Sequence, residues 1–174
     1  MSRGFVPDPH PEQNKFRSTV TVSSPVWYLE QEGEMSKDQQ GVRGSGAGRT
    51  VMIVEEDADH SGLLRQLLEN EGYKVLETSN LDAFRTAVEL RPEVIVLDLM
   101  MPIIDGFVLA EVFKACRLTR HIPIIFLTAL HETQYEEASR QLQAAAYLTK
   151  PVTIANFLFT INAVLQAGPA KASG

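Results

Sequence analysis

The stretch VIVLDLMMPIIDG, residues 94–106, constrains this chain more than any other. An apolar run from Val94 to Leu97 leads into one carboxylate, Asp98. The chain then breaks at Met101-Pro102 and turns at Asp105-Gly106 before a new apolar-periodic segment. A continuous apolar run reads as a strand covered on both faces. Such strands belong to parallel sheets, whose ligands sit just beyond the carboxyl ends of the strands. Asp98 is therefore delivered to a sheet edge of that kind.

The rest of the chain from Thr50 repeats the same grammar. TVMIV, residues 50–54, is a β-branched run that ends in Glu55, Glu56 and Asp57, and Leu63, Leu64, Leu67 and Leu68 then recur at helical spacing over residues 60–71. Gly72 stands where a helix takes a left-handed C-terminal glycine, and KVLET, residues 74–78, is a second strand. Asn80 is expected to cap a helix that runs through Leu90 and stops before Pro92. After the strand bearing Asp98 come a helix from Gly106 to about Arg117, a buried strand in PIIFLTA (residues 123–129) and a helix over residues 132–143. A short strand in AYLTKP and a closing helix over residues 153–166 complete the series. Strands alternating with helices through short connections specify an α/β fold, a doubly wound five-stranded parallel sheet with helices on both faces.

Composition adds exclusions. The net charge is -6, and residues 1–49 hold six acids and six bases, so the whole excess lies in the remainder. An acidic domain is a poor match for phosphate backbones, and no nucleic acid is expected. Cys116 is the single cysteine, which rules out an internal disulfide and reads as a buried thiol in an amphipathic run. No apolar run reaches the roughly 18 residues of a membrane span, and MSRGFVPDPHPEQ lacks the apolar core of a signal peptide. The expectation is a soluble, cytoplasmic protein without membrane contact. Residues 1–49, with Pro7, Pro9, Pro11 and Pro25 and then Gly41, Gly44, Gly46 and Gly48, read as a disordered extension. Met35 is an alternative start within it, and TVTVSSPVWYLE carries the only tryptophan, Trp27. Residues 50–166 form the domain, and 167–174 a flexible tail.

In a parallel sheet the polar residues at different strand ends converge. Here these are Glu55 and Glu56, Asp98, Thr128 and Lys150. Clustered carboxylates repel unless a cation sits among them, and an all-oxygen set suits a hard ion, Mg2+ with Mn2+ as a substitute, rather than zinc. A hydroxyl and an ammonium beside that ion suit an anionic group with several oxygens. A carboxylate nucleophile then forms an acyl phosphate, with Asp98 the natural acceptor. His60, His121 and His131 share no ligand spacing and read as surface or packing residues.

Residues 50–166 resemble a receiver domain of two-component response regulators: VEED after the first strand, VLDLMMPIIDG around the third, LTA after the fourth and YLTKP at the fifth, all four in order. The resemblance implies the flavodoxin-like strand order 2-1-3-4-5. It also implies a phosphoryl group passed to Asp98 from the phosphohistidine of a sensor histidine kinase or phosphotransfer protein. By position, Glu55, Glu56 and Asp98 would hold the metal with the backbone carbonyl of Met100. Thr128 and Lys150 would contact phosphoryl oxygens, Tyr147 would be the aromatic switch residue, and the Lys150-Pro151 bond would be cis. Such a protein is not an enzyme beyond its own aspartyl phosphorylation and dephosphorylation. With only a short tail after Gln166, it would signal as a single-domain response regulator, through contacts with a downstream protein.

Three departures stand out. Glu56 replaces the usual Asp of the acidic pair. Gln143 replaces the usual Gly before the fifth strand, so the preceding helix is expected to end without a left-handed residue. Met100 and Leu130, both apolar, flank the path of the hydrolytic water in receivers, which suggests a slowly decaying phosphoaspartate. On the last helix, Ile154, Phe157, Leu158, Ile161, Val164 and Leu165 make one apolar stripe, and Phe159 falls nearly opposite it. Phe159 is expected in solvent, near Tyr147, on the face through which receivers commonly meet a partner or a second copy. The competing readings are a receiver-like scaffold that works without phosphorylation, favoured by Glu56, and a phosphatase of the haloacid dehalogenase type. The latter wants a second Asp where Met100 stands.

Overall fold

The computed structural model describes residues 46–130 and 133–168. The elements are β1 (Thr50–Val54), α1 (Ala58–Asn70), β2 (Lys74–Thr78), α2 (Ala83–Leu90), β3 (Val94–Leu97), α3 (Gly106–Ala115), β4 (Ile124–Thr128), α4 (Thr133–Gln141), β5 (Ala146–Thr149) and α5 (Ile154–Ala167). The strands form one parallel sheet in the order β2-β1-β3-β4-β5, as the resemblance implies. Trp27 with its flanking segment, His131, Glu132 and residues 169–174 lie outside the described residues.

Side chains alternate across the sheet with period 2. Val51, Ile53, Val94, Val96, Ile125, Leu127, Ala146 and Leu148 point to one face and meet Leu64 and Leu68 of α1 and Phe157, Ile161 and Val164 of α5. Met52, Val54, Ile95, Leu97, Ile124, Phe126 and Tyr147 point to the other and meet Ala83 and Ala87 of α2 and Leu109, Ala110 and Phe113 of α3. Both faces are thus covered, which is why β3 and β4 read as unbroken apolar runs. Each fully buried Val, Leu, Ile, Met or Phe among them contributes about 1.5 to 3 kcal/mol.

Several local expectations are corrected. The chain joins the fold before Thr50: Gly46 is buried, Arg49 Nε donates to Glu93 Oε2 at 2.9 Å and its Nη1 to the Leu165 carbonyl at 3.2 Å. Asn80 does not cap α2. That position belongs to Asp82, which makes no capping bond, while Asn80 is turned inward. The helix α1 starts earlier than its leucine pattern suggests, because Asp57 caps it and accepts from the amides of Asp59 and His60. Ile154 lies in the predicted apolar stripe of α5 but is 62% exposed, since the first turn of that helix begins beyond the end of β5. Phe159 is exposed as expected, at 38%.

Gln143 also departs from expectation, because it adopts the left-handed conformation without being glycine, with φ +54°. Its amide donates to the Arg140 carbonyl and that of Ala144 to the Ser139 carbonyl, the paired bonds that close a helix on a left-handed residue. Gly72 does the same for α1 with φ +88°. Gln143→Gly should therefore raise the unfolding free energy by about 0.5 kcal/mol, the relief of left-handed strain exceeding the added freedom of the unfolded chain. Gly106 is needed for a different reason: a Cβ there would overlap the Asp98 carbonyl and lie 2.7 Å from Leu99 Cα. Gly106→Ala should cost about 2 to 3 kcal/mol. Urea unfolding of both variants against the parent checks the two signs.

Candidate functional site

The carboxyl ends of β1, β3, β4 and β5 bring the singled-out residues to one edge of the sheet. Asp98 follows β3 directly, and its amide donates to the Val54 carbonyl at 3.1 Å, which holds it beside the end of β1. Its Oδ1 accepts the Met100 amide at 3.0 Å and its Oδ2 accepts Lys150 Nζ at 2.7 Å. Lys150 Nζ also donates to Glu55 Oε2 at 2.7 Å. One ammonium thus bridges two buried carboxylates. Lys150 is carried there by the turn after β5, where the Lys150-Pro151 bond is cis and the Lys150 amide donates to the Thr128 carbonyl at 2.8 Å.

The Lys150 ammonium loses water by burial, which disfavours its charge, but its bonds to Asp98 and Glu55 and their negative charge outweigh that loss. The pKa of Lys150 ends above its ordinary value of 10.5. Asp57, fully exposed, is held below the ordinary carboxylate value first by the bond from the His60 amide. This makes it a helix cap rather than a site acid.

Not every expected residue joins the cluster. Glu56 is turned away from the bridge, and its Oε1 accepts the Asn80 amide at 2.9 Å. Thr128 is fully buried, and its Oγ1 accepts the Leu130 amide at 3.4 Å. Tyr147 already lies inside, against Phe126 at 6.3 Å between ring centroids, and its hydroxyl donates to the Leu130 carbonyl at 2.9 Å. The Met100 side chain is exposed.

His60 was expected on the surface or in packing, yet its Nδ1 lies 2.6 Å from Glu55 Oε2. The signal for it was present but faint: a residue at the third position after a helix cap, here Asp57, sits on the first turn, facing back toward the strand end that carries Glu55. Asn80 is the second residue missed, hidden by its resemblance to a cap.

Toward a metal, the strand ends offer oxygen donors suited to a hard ion. Among the described residues, however, no three carboxylate, imidazole or thiolate groups converge on an ion-sized point. The place between Glu55 and Asp98 is taken by Lys150 Nζ. The donor chemistry fits such an ion.

Residues 51–162 match the family model of the response regulator receiver domain. The chain belongs to the response regulator receiver family. The polar-differentiation response regulator DivK of Brucella anthropi is 36% identical over 118 residues, spanning 67% of this chain and 96% of that one. A putative response regulator from Chloroflexus aurantiacus superposes with a TM-score of 0.65 at 27% identity, covering 68% of this chain and 98% of its own. The receiver domain of a sensor histidine kinase from Pseudomonas aeruginosa does so with a TM-score of 0.63 at 26% identity, covering 69% and 99%. In that structure a magnesium ion is coordinated in the active-site cleft. The fold, the strand order and membership of two-component signalling follow for this receiver. No helix among the described residues is long and apolar enough to cross a membrane.

Replacing Lys150 by Met takes the shared ammonium from two neighbouring carboxylates and leaves Asp98 without a cation beside it, which should cost about 3 kcal/mol at neutral pH. Because the folded pKa of Lys150 is raised, its contribution is fully present below 10.5 and is lost as pH rises through the folded value. Urea unfolding of parent and Lys150→Met should therefore differ by a constant amount from pH 7 to about 10 and converge above that.

Proposed function

We propose that this receiver accepts a phosphoryl group on Asp98 from a sensor histidine kinase or phosphotransfer protein in the cytoplasm, and signals through contacts with a downstream protein. The observation that carries this reading is the Lys150 bridge. A buried carboxylate, 7% exposed, is held at a sheet edge by a bond from an ammonium that a second carboxylate shares. An ammonium so placed can leave Asp98 for an incoming phosphoryl oxygen without leaving the site.

In the transfer, an Asp98 oxygen forms the new O–P bond while the N–P bond to the donor's imidazole breaks, and the leaving imidazole takes a proton from solvent. The Met100 amide on Oδ1 fixes the plane of the attacking carboxylate. Lys150 neutralises charge on the phosphoryl oxygens, and the Thr128 hydroxyl, whose oxygen accepts the long bond from the Leu130 amide, donates its proton to one of them. Glu55, Glu56, Asp98 and the Met100 carbonyl would hold Mg2+ or Mn2+, which supplies charge neutralisation at the phosphoryl oxygens. The exposed Phe159 is on the α5 surface read by a partner or by a second copy, and Tyr147, buried with its hydroxyl on the Leu130 carbonyl, acts as the switch residue behind it. Beyond this self-modification no turnover is expected.

Intact mass after incubation with a small phosphodonor tests the reading. A gain of one phosphoryl group that requires both Mg2+ and Asp98, and is absent in Asp98→Asn, supports it. No gain from the folded protein under any condition overturns it in favour of the scaffold that works without phosphorylation. With apolar Met100 and Leu130 flanking the path of attacking water, the phosphorylated form should also decay slowly. Met100→Asn with Leu130→Glu should speed loss of the label at least about tenfold by positioning that water, and equal decay rates would dismiss the idea.

A further inference from the structure

Asn80 sits where the loops after β1, β2 and β3 meet, and it is 2% exposed. Its backbone amide donates to Glu56 Oε1 at 2.9 Å, and its side-chain amide donates to the carbonyl of Pro102. The Pro102 carbonyl also accepts the Ile104 amide at 2.9 Å, closing a three-residue turn around Ile103, whose φ is +74°.

A bond from residue i to i+2 around such a φ is the rare and strained form of the γ-turn, and a β-branched residue at positive φ adds to the strain. Ile103 is 82% exposed, so the packing of its own side chain does not hold it there. The buried side-chain amide of Asn80 instead grips the carbonyl that opens the turn. The N-cap position of α2 is Asp82, two residues on, so Asn80 is not placed to cap it, and a buried amide makes a specific bond at low dielectric that is costly to lose.

We infer that Asn80 is a positioning residue for the phosphoryl-accepting site. Through one buried residue it ties the second acid of the pair, Glu56, to the β3–α3 loop that presents the Met100 amide and carbonyl, and it holds that loop in a turn that the sequence of the loop disfavours. The inference rests on the function proposed above only in its consequence for the metal; the hold on the loop stands apart from it.

The experiment uses the full chain with Asn80→Ala, Ile103→Gly and the double variant, read by hydrogen exchange of the amides in residues 100–105 and by calorimetric titration with Mg2+. Losing one buried hydrogen bond should speed exchange in that loop about tenfold and weaken the Mg2+ Kd about fivefold to tenfold in Asn80→Ala. Ile103→Gly, which accepts positive φ without strain, should restore both to within about twofold in the Asn80→Ala background.

An anchor that serves stability alone would lower the thermal midpoint yet leave the loop exchange and the Mg2+ affinity where they were, and that result overturns the inference, as does failure of Ile103→Gly to restore them. Should Asn80→Ala not fold, Asn80→Ser, with a shorter donor, is read against the same two outcomes. If the parent chain takes up neither Mg2+ nor a phosphoryl group, the proposed function falls. Exchange in the loop then decides the role of Asn80 alone: a rise reversed by Ile103→Gly upholds the hold on the loop, and no rise refutes it.

Discussion

A parallel sheet buried on both faces leaves its strand ends as the main exits for polar side chains, and everything at the functional edge follows from that confinement. Glu55 and Asp98 leave neighbouring strands at the same level because β1 and β3 pair in register from Val51 with Val94 to Val54 with Leu97. Two carboxylates brought that close and buried would repel strongly, since charge interactions grow as water is removed. The structure resolves the conflict with Lys150, delivered from β5, two strands away from β3. The bridge is therefore a structural counter-charge, and the raised pKa of Lys150 keeps it charged.

The fold was largely legible in the sequence because it depends on patterns that survive averaging: apolar runs for β3 and β4, leucines at helical spacing for α1, and short connections. The cluster of Glu55, Asp98 and Lys150 was legible for the same reason, since strand ends in such a sheet have fixed neighbours. What escaped depends on single rotamers and single peptides. Glu56 looked like a partner of Glu55, but adjacent residues leave a strand in opposite directions, and its carboxylate found the Asn80 amide instead. Asn80 looked like a cap because side-chain amides favour helix starts, yet the start lies two residues later, at Asp82. His60 carried no pattern at all; its closeness to Glu55 arises from where α1 begins. Gln143 shows the opposite failure, a backbone requirement that the sequence meets with a residue that does not advertise it.

The β3–α3 loop carries the cost of this arrangement. It must reverse direction directly over the Asp98–Leu99 backbone, which leaves no room for a side chain at Gly106, and the Gly106 amide closes the reversal on the Leu99 carbonyl at 3.2 Å. With that end fixed and Asp98 fixed by β3, the few residues between have little freedom, and the positive φ of Ile103 is where the constraint is absorbed. Strain of this kind persists only where the surroundings over-determine it. It sits on the loop whose Met100 amide orients the Asp98 carboxylate.

Leu130 links this edge to the outer part of the fold. Its amide is held by Thr128 Oγ1 at 3.4 Å, while its carbonyl accepts the Tyr147 hydroxyl at 2.9 Å, so one residue is gripped from both sides. The two grips are unequal: 3.4 Å lies beyond the usual range for an N–H to oxygen bond, and 2.9 Å is near the ordinary value for a hydroxyl donor. Any shift of Thr128 Oγ1 therefore loosens its weaker contact with the Leu130 amide before the Tyr147 bond is disturbed. The Leu130 peptide then stays with Tyr147, next to the start of α4 at Thr133. Thr128 and Tyr147 are thereby joined through one residue, and a ligand would shift that arrangement only as far as it binds one form better than the other.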